Sequence, residues 1–111
     1  MELVEEQHDY FMQQALSQAH AAMASDEVPV GAVIECNGRI IAATYNQCVA
    51  LKDGTAHAEM LAITQASQVV GDWRLENCTL FVTLEPCIMC AGAILNSRIP
   101  KVVFGASDPK G

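Results

Sequence analysis

Apolar residues recur at three- and four-residue intervals over roughly residues 7–24. Phe11, Ala15, Ala19, Ala22 and Met23 fall on one face, which predicts an amphipathic helix. Pro29 restarts the chain, and the pattern changes to an apolar run, Val30-Gly31-Ala32-Val33-Ile34-Glu35, that reads as a strand. Asn37-Gly38 is a strong hairpin signal because both residues tolerate positive φ, so Arg39 to about Tyr45 is predicted to return antiparallel. Lys52-Asp53-Gly54-Thr55 reads as loop. From His57 to Val70 a second helix is predicted, with Leu61, Ala62, Ala66, Val69 and Val70 inward and Gly71 as its stop. Thr79-Leu80-Phe81-Val82-Thr83-Leu84 suits a strand buried on both faces. Pro86 marks the start of a third helix running from about Cys87 to Asn96, and Lys101-Val102-Val103-Phe104 makes a fourth strand ended by Gly105. The order α-β-β-α-β-α-β implies an α/β fold, a three-layer α-β-α sandwich around a mixed sheet.

With 111 residues, 51% of them apolar and 17% charged, the chain has material for one core, and residues 1–111 are expected to form a single domain. That composition excludes disorder, collagen and coiled coil as descriptions of the whole. No apolar run reaches the roughly 20 residues a membrane helix needs. The acidic start, Met1-Glu2-Leu3-Val4-Glu5-Glu6, lacks the apolar stretch of a secretory signal, so a cytoplasmic protein without a membrane partner is expected. Net charge is −7, unevenly spread: residues 1–27 hold six acids and no Lys or Arg, whereas the remainder is nearly neutral. Taken whole, this is a poor electrostatic match for a polyanion such as RNA. The five cysteines, Cys36, Cys48, Cys78, Cys87 and Cys90, are odd in number, which favours thiols or metal ligands over a disulfide framework.

Chemistry concentrates at two predicted helix starts. Cys87 and Cys90, three apart on a helix, place both sulfurs on one side, and a helix N-terminus favours the thiolate that binds metal. His57 supplies a third ligand from the facing helix. Three protein ligands with an open position is the pattern of a catalytic zinc rather than a structural one, so one Zn2+ is expected. Glu59, two residues beyond His57, can move a proton between a zinc-activated water and a leaving amine. Each piece alone has a plainer reading: a redox or simply buried Cys pair, a capping His, a Glu that complements a helix dipole. Together, His-x-Glu followed by Pro-Cys-x-x-Cys forms the signature of zinc-dependent deaminases.

The segments Glu27-Val28-Pro29-Val30-Gly31-Ala32, Thr55-Ala56-His57-Ala58-Glu59 and Thr83-Leu84-Glu85-Pro86-Cys87-Ile88-Met89-Cys90-Ala91-Gly92-Ala93 carry a more specific likeness. With Ser97-Arg98-Ile99-Pro100-Lys101-Val102-Val103-Phe104-Gly105-Ala106, they resemble the bacterial tRNA-specific adenosine deaminases over nearly the whole chain from about residue 8 onward. The resemblance implies a cytidine deaminase-like fold, a homodimer, no nucleotide cofactor, and conversion of adenosine to inosine at the first anticodon position of a tRNA anticodon stem-loop. It implies zinc ligands at His57, Cys87 and Cys90, a proton shuttle at Glu59, and base contact by Asn46, which on composition alone reads as a turn-forming Asn after a strand. It also places Asp108 beside the target nucleotide, where an acid suits a ribose 2′-hydroxyl better than a phosphate; a plain loop Asp is the alternative.

Members of that family continue through a further strand and a C-terminal helix, so the chain to Gly111 is expected to be either a part of a longer protein or a shortened one. Ser107 stands where a larger or basic residue is expected, which bears on RNA contacts and not on the chemistry. The nearest rival is a deaminase of a free base or nucleotide, such as guanine or cytosine, built on the same zinc core. A catalytically silent zinc-stabilised RNA-binding module is a different class, against which Glu59 argues.

Overall fold

The structure is a computed structural model that describes residues 3–106, so Asp108 and Ser107 lie outside the described residues. Its elements are α1 (Glu5–Ala24), β1 (Gly31–Cys36), β2 (Arg39–Tyr45), α2 (Cys48–Leu51), α3 (Ala58–Val70), β3 (Cys78–Val82), α4 (Ile88–Asn96) and β4 (Lys101–Phe104). The strands form one mixed sheet in the order β2-β1-β3-β4, with β1 antiparallel to both neighbours and β3 parallel to β4.

Strand alternation divides the core into two layers. Ala32, Ile34, Leu80 and Val82 point to one face, where Ala58, Ala62 and Ala66 of α3 and Ile94 of α4 cover them. Val33 and Phe81 point to the other, against Phe11 and Ala15 of α1. This is the three-layer α-β-α arrangement expected from the element order. Among the described residues, no helix is long and apolar enough to cross a membrane.

Helix α1 starts at Glu5, two residues before its predicted start, because the Gln7 side chain accepts the Val4 amide at 2.9 Å and Glu5 and Glu6 complement the helix dipole. It crosses β1 so closely that a Cβ at Gly31 would overlap the Ala15 carbonyl and stand 2.5 Å from the Ala19 amide nitrogen. Only glycine allows that approach. The Asn37-Gly38 hairpin forms as predicted, with φ of 54° and 83°.

Three inward assignments were wrong. Met23, Val69 and Val70 are exposed: Met23 lies beside the covered stripe of α1, which runs on to the fully buried Ala22, and Val69 and Val70 sit on the last turn of α3, beyond the buried Ala66. β3 ends at Val82, two residues before its predicted end. Past it, the Thr83 amide donates to the Gly31 carbonyl at 3.0 Å and its hydroxyl oxygen accepts the Gly31 amide at 3.1 Å. The short helix α2 has no counterpart in the sequence reading.

Candidate active site

Strands β3 and β4 end on the same side of the sheet, where β2 also delivers the chain to Asn46. Helices α3 and α4 start there, with His57 and Cys87 as their N-caps. In open α/β sheets, the carboxyl ends of parallel strands are where ligands bind.

The structure brings His57, Cys87 and Cys90 together, with their ligand atoms all within 4.8 Å of one another. Nδ1 of His57 lies 3.6 Å from Sγ of Cys87 and 3.6 Å from Sγ of Cys90. Tetrahedral zinc, with Zn–N near 2.0 Å and Zn–S near 2.3 Å, sets such atoms about 3.5 Å apart, so the donor set fits the ion. Using Nδ1 as the ligand leaves the ring proton on Nε2. Burial pushes the Cys90 thiol far up, and the charges of Glu59 and Cys87 push it further. A divalent cation offsets that penalty, and the α4 N-terminus adds positive potential.

Glu59 is buried in the first turn of α3. Burial raises its carboxyl above the usual range, while its own backbone amide, His57 and the Cys90 thiol pull part of the way back. It lines a cavity of about 300 Å3 together with His57, Cys87 and Asn46. Val28, Val30 and Leu84 make the apolar walls, and Cys48 and Glu85 complete the rim. Asn46 is buried, and its amide donates to the Val30 carbonyl at 3.1 Å. Thus Asn46, His57, Glu59, Cys87 and Cys90 share one site, while Asp108 lies outside the described residues.

Sequence reasoning missed what holds the Asn46 wall in place. Helix α2 follows directly, and its N-cap, Gln47, makes no side-chain capping bond. The buried carboxylate of Glu27 does that work from before β1, with Oε1 accepting the Val49 amide at 3.0 Å and Oε2 the Ala50 amide at 2.8 Å. A carboxylate at a helix start satisfies orphan donors and opposes the dipole. The only sequence signal was an acid beside the apolar segment Val28-Pro29-Val30, which does not name a partner 22 residues on.

The sequence profile described as "Cytidine and deoxycytidylate deaminase zinc-binding region" matches residues 5–106. A tRNA-specific adenosine deaminase of Bacillus subtilis is 52% identical over 105 residues, 95% of this chain and 65% of that protein. One from Aquifex aeolicus is 52% identical over 102 residues, 92% of this chain and 68% of that protein. The chain thus spans about two-thirds of the length of these relatives. A structure from work on A-to-I editing by tRNA:A34 deaminases at the wobble position of transfer RNA superposes with a TM-score of 0.90 at 48% identity, covering 93% of this chain and 75% of that one. A guanine deaminase from Bacillus subtilis superposes with a TM-score of 0.87 at 39% identity, covering 90% of this chain and 64% of that one.

Proposed function

The chain belongs to the cytidine and deoxycytidylate deaminase zinc-binding family, and we propose that it is a hydrolase converting adenosine to inosine at the first anticodon position of a tRNA. The observation that carries this reading is the buried Glu59 carboxyl facing the same cavity as the His57, Cys87 and Cys90 cluster. The tRNA part of the reading is supported by 52% identity to two tRNA-specific adenosine deaminases.

In this proposal, His57 and the Cys87 and Cys90 thiolates would hold one zinc ion, which would supply activated water at neutral pH. Glu59 takes a proton from the water that adds to C6 of the adenine and delivers a proton to the departing N6, which leaves as ammonia. Raising its carboxyl by burial suits a group that must both accept and return a proton. The Asn46 amide offers a donor and an acceptor to the flipped-out nucleoside. Asp108 receives the ribose 2′-hydroxyl. Val28, Val30 and Leu84 clamp the faces of the base and exclude water.

The protein acts as a homodimer in the cytoplasm, where an anticodon stem-loop is within its reach. The apolar surface of α4, where Ile88 is 87% exposed and Leu95 is 72% exposed, offers area for a second copy to cover.

A free-base reading has its own support, from the 39% identity to a guanine deaminase and a cavity of about 300 Å3. One experiment separates the two. Zinc-replete protein is given an anticodon stem-loop RNA with adenosine at the first anticodon position, and in parallel free guanine or cytosine. Inosine in the RNA without ammonia release from the free bases is expected. Ammonia from guanine with no inosine would replace the tRNA reading by the free-base one.

A further inference from the structure

Cys36 and Cys78 are partners in the β1–β3 register, at the end of the sheet away from His57, Cys87 and Cys90. The ladder itself tells how near they are. The Thr83 amide donates to the Gly31 carbonyl at 3.0 Å, which makes Gly31 and Thr83 a hydrogen-bonded pair. Counting along the register in twos, Val33↔Phe81 and Glu35↔Thr79 are of the same type, and Cys36↔Cys78 falls on a non-hydrogen-bonded position. Consistent with this, the Cys78 amide turns to the Leu75 carbonyl at 3.2 Å. Non-hydrogen-bonded partners have Cα atoms about 4.5 Å apart, inside the roughly 4.4–6.8 Å that a disulfide spans. The two thiols are near enough for the charge of one to act on the other, and both are free. Cys78 is buried, whereas Cys36 is reached by solvent.

We propose that Cys36 and Cys78 form a reversible two-electron redox site, in which a peroxide closes the pair into a disulfide that ties β1 to β3. The asymmetry of exposure sets the order of events. Burial, reinforced by the charge of Cys36, pushes the Cys78 thiol up to about 12, so it does not react first. The Cys36 thiolate attacks one peroxide oxygen, the O–O bond breaks, and hydroxide leaves, giving a sulfenic acid at Cys36. That product is neutral, so the contribution of the Cys36 charge to holding the Cys78 proton is removed while that of burial stays. The Cys78 sulfur then attacks the Cys36 sulfur. The S–S bond forms, the S–OH bond breaks, and the departing hydroxide combines with the Cys78 proton as water. In sum, two thiols and one hydrogen peroxide give one disulfide and two waters, and a dithiol reductant reverses the oxidation.

The ring so closed contains β2, α2 and α3, and with them Asn46, His57 and Glu59. Its effect is to restrict the unfolded chain while leaving the opposite end of the sheet undisturbed. Cys87 and Cys90 are shielded from this chemistry while they hold a metal ion, and Cys48 lies across the molecule in the cavity wall.

The test uses zinc-loaded protein. After hydrogen peroxide, remaining thiols are alkylated and non-reducing digests are read by mass spectrometry, with melting temperature and zinc content followed in parallel. The expected result is a peptide pair linked through Cys36 and Cys78 that dithiothreitol separates, unchanged zinc, and melting raised by roughly 10 °C. Cys36→Ser, or Cys36→Ala if the first variant folds poorly, loses both the link and the shift. Cys36 recovered as sulfinic acid with Cys78 still alkylatable after unfolding would overturn the proposal. So would Cys36 linked to Cys48 or to a second chain.

Discussion

The Thr44 hydroxyl donates to the Ala58 carbonyl at 2.7 Å, tying the end of β2 to the residue that separates His57 from Glu59. The bond is buried and links the strand that delivers Asn46 to the turn that carries a metal-site donor and the buried acid. Thr44→Val keeps the shape and removes the donor. It is expected to cost about 1 kcal/mol in urea denaturation and to weaken zinc binding about tenfold, as loss of a ligand's supporting contacts does. Stability lost with zinc affinity intact would show that the bond holds the fold without orienting His57.

Glu27 acts at longer range. Its two carboxylate oxygens accept the Val49 and Ala50 amides, and nothing else at the start of α2 replaces them through the Gln47 side chain. Glu27→Ala leaves two backbone donors without an acceptor and is expected to cost about 2 kcal/mol. Glu27→Gln retains one acceptor oxygen and is expected to recover roughly half of that. Because α2 follows the Asn46 wall, both variants are expected to raise KM for the proposed RNA substrate more than they lower kcat. A larger fall in kcat than rise in KM would mean that Glu27 reaches the chemistry itself.

The periodicities of α1 and α3 told which face turns inward, yet not how much of each helix has a neighbour. Phe11, Ala22 and Ala66 are buried, while Met23 sits at the edge of the covered stripe of α1 and Val69 and Val70 on the uncovered last turn of α3. Local signals worked where the cause was local. Asn37-Gly38 turns because of its own backbone preferences, and Cys87 and Cys90 share a side because a helix has 3.6 residues per turn. Helix α2 was illegible because its capping carboxylate comes from Glu27, across an entire hairpin. The Cys36–Cys78 pairing was hidden for the same reason, since the register of strands so far apart in the chain depends on the whole sheet.

Alkaline pH gives a separate reading of the same thiol pair. Burial and the charge of Cys36 move the Cys78 thiol from an ordinary 9.0 to about 12. The folded chain therefore holds this proton more tightly than the unfolded one. The stability that comes from it is complete below about pH 9 and is lost as pH rises from 9 toward 12. Urea midpoints of reduced, zinc-loaded protein are expected to fall steeply over pH 9–11, and less steeply for Cys78→Ala. Equal slopes in the two proteins would mean that Cys78 does not titrate as its burial implies.

Glu59 combines burial, a raised carboxyl and a place in the cavity beside His57 and Cys87 without belonging to the donor set. Glu59→Gln preserves shape and removes proton transfer. Inosine formation is expected to fall by about 10²–10⁴-fold, the range for loss of a positioned acid–base group. Zinc content is expected to stay the same, because His57, Cys87 and Cys90 remain. Thermal stability is expected to hold or rise, since the cost that burial imposes on the Glu59 charge disappears with it. Metal analysis, melting and inosine yield on one preparation check all three. Zinc lost together with activity would make Glu59 part of the metal's support, and undiminished inosine would remove it from the reaction.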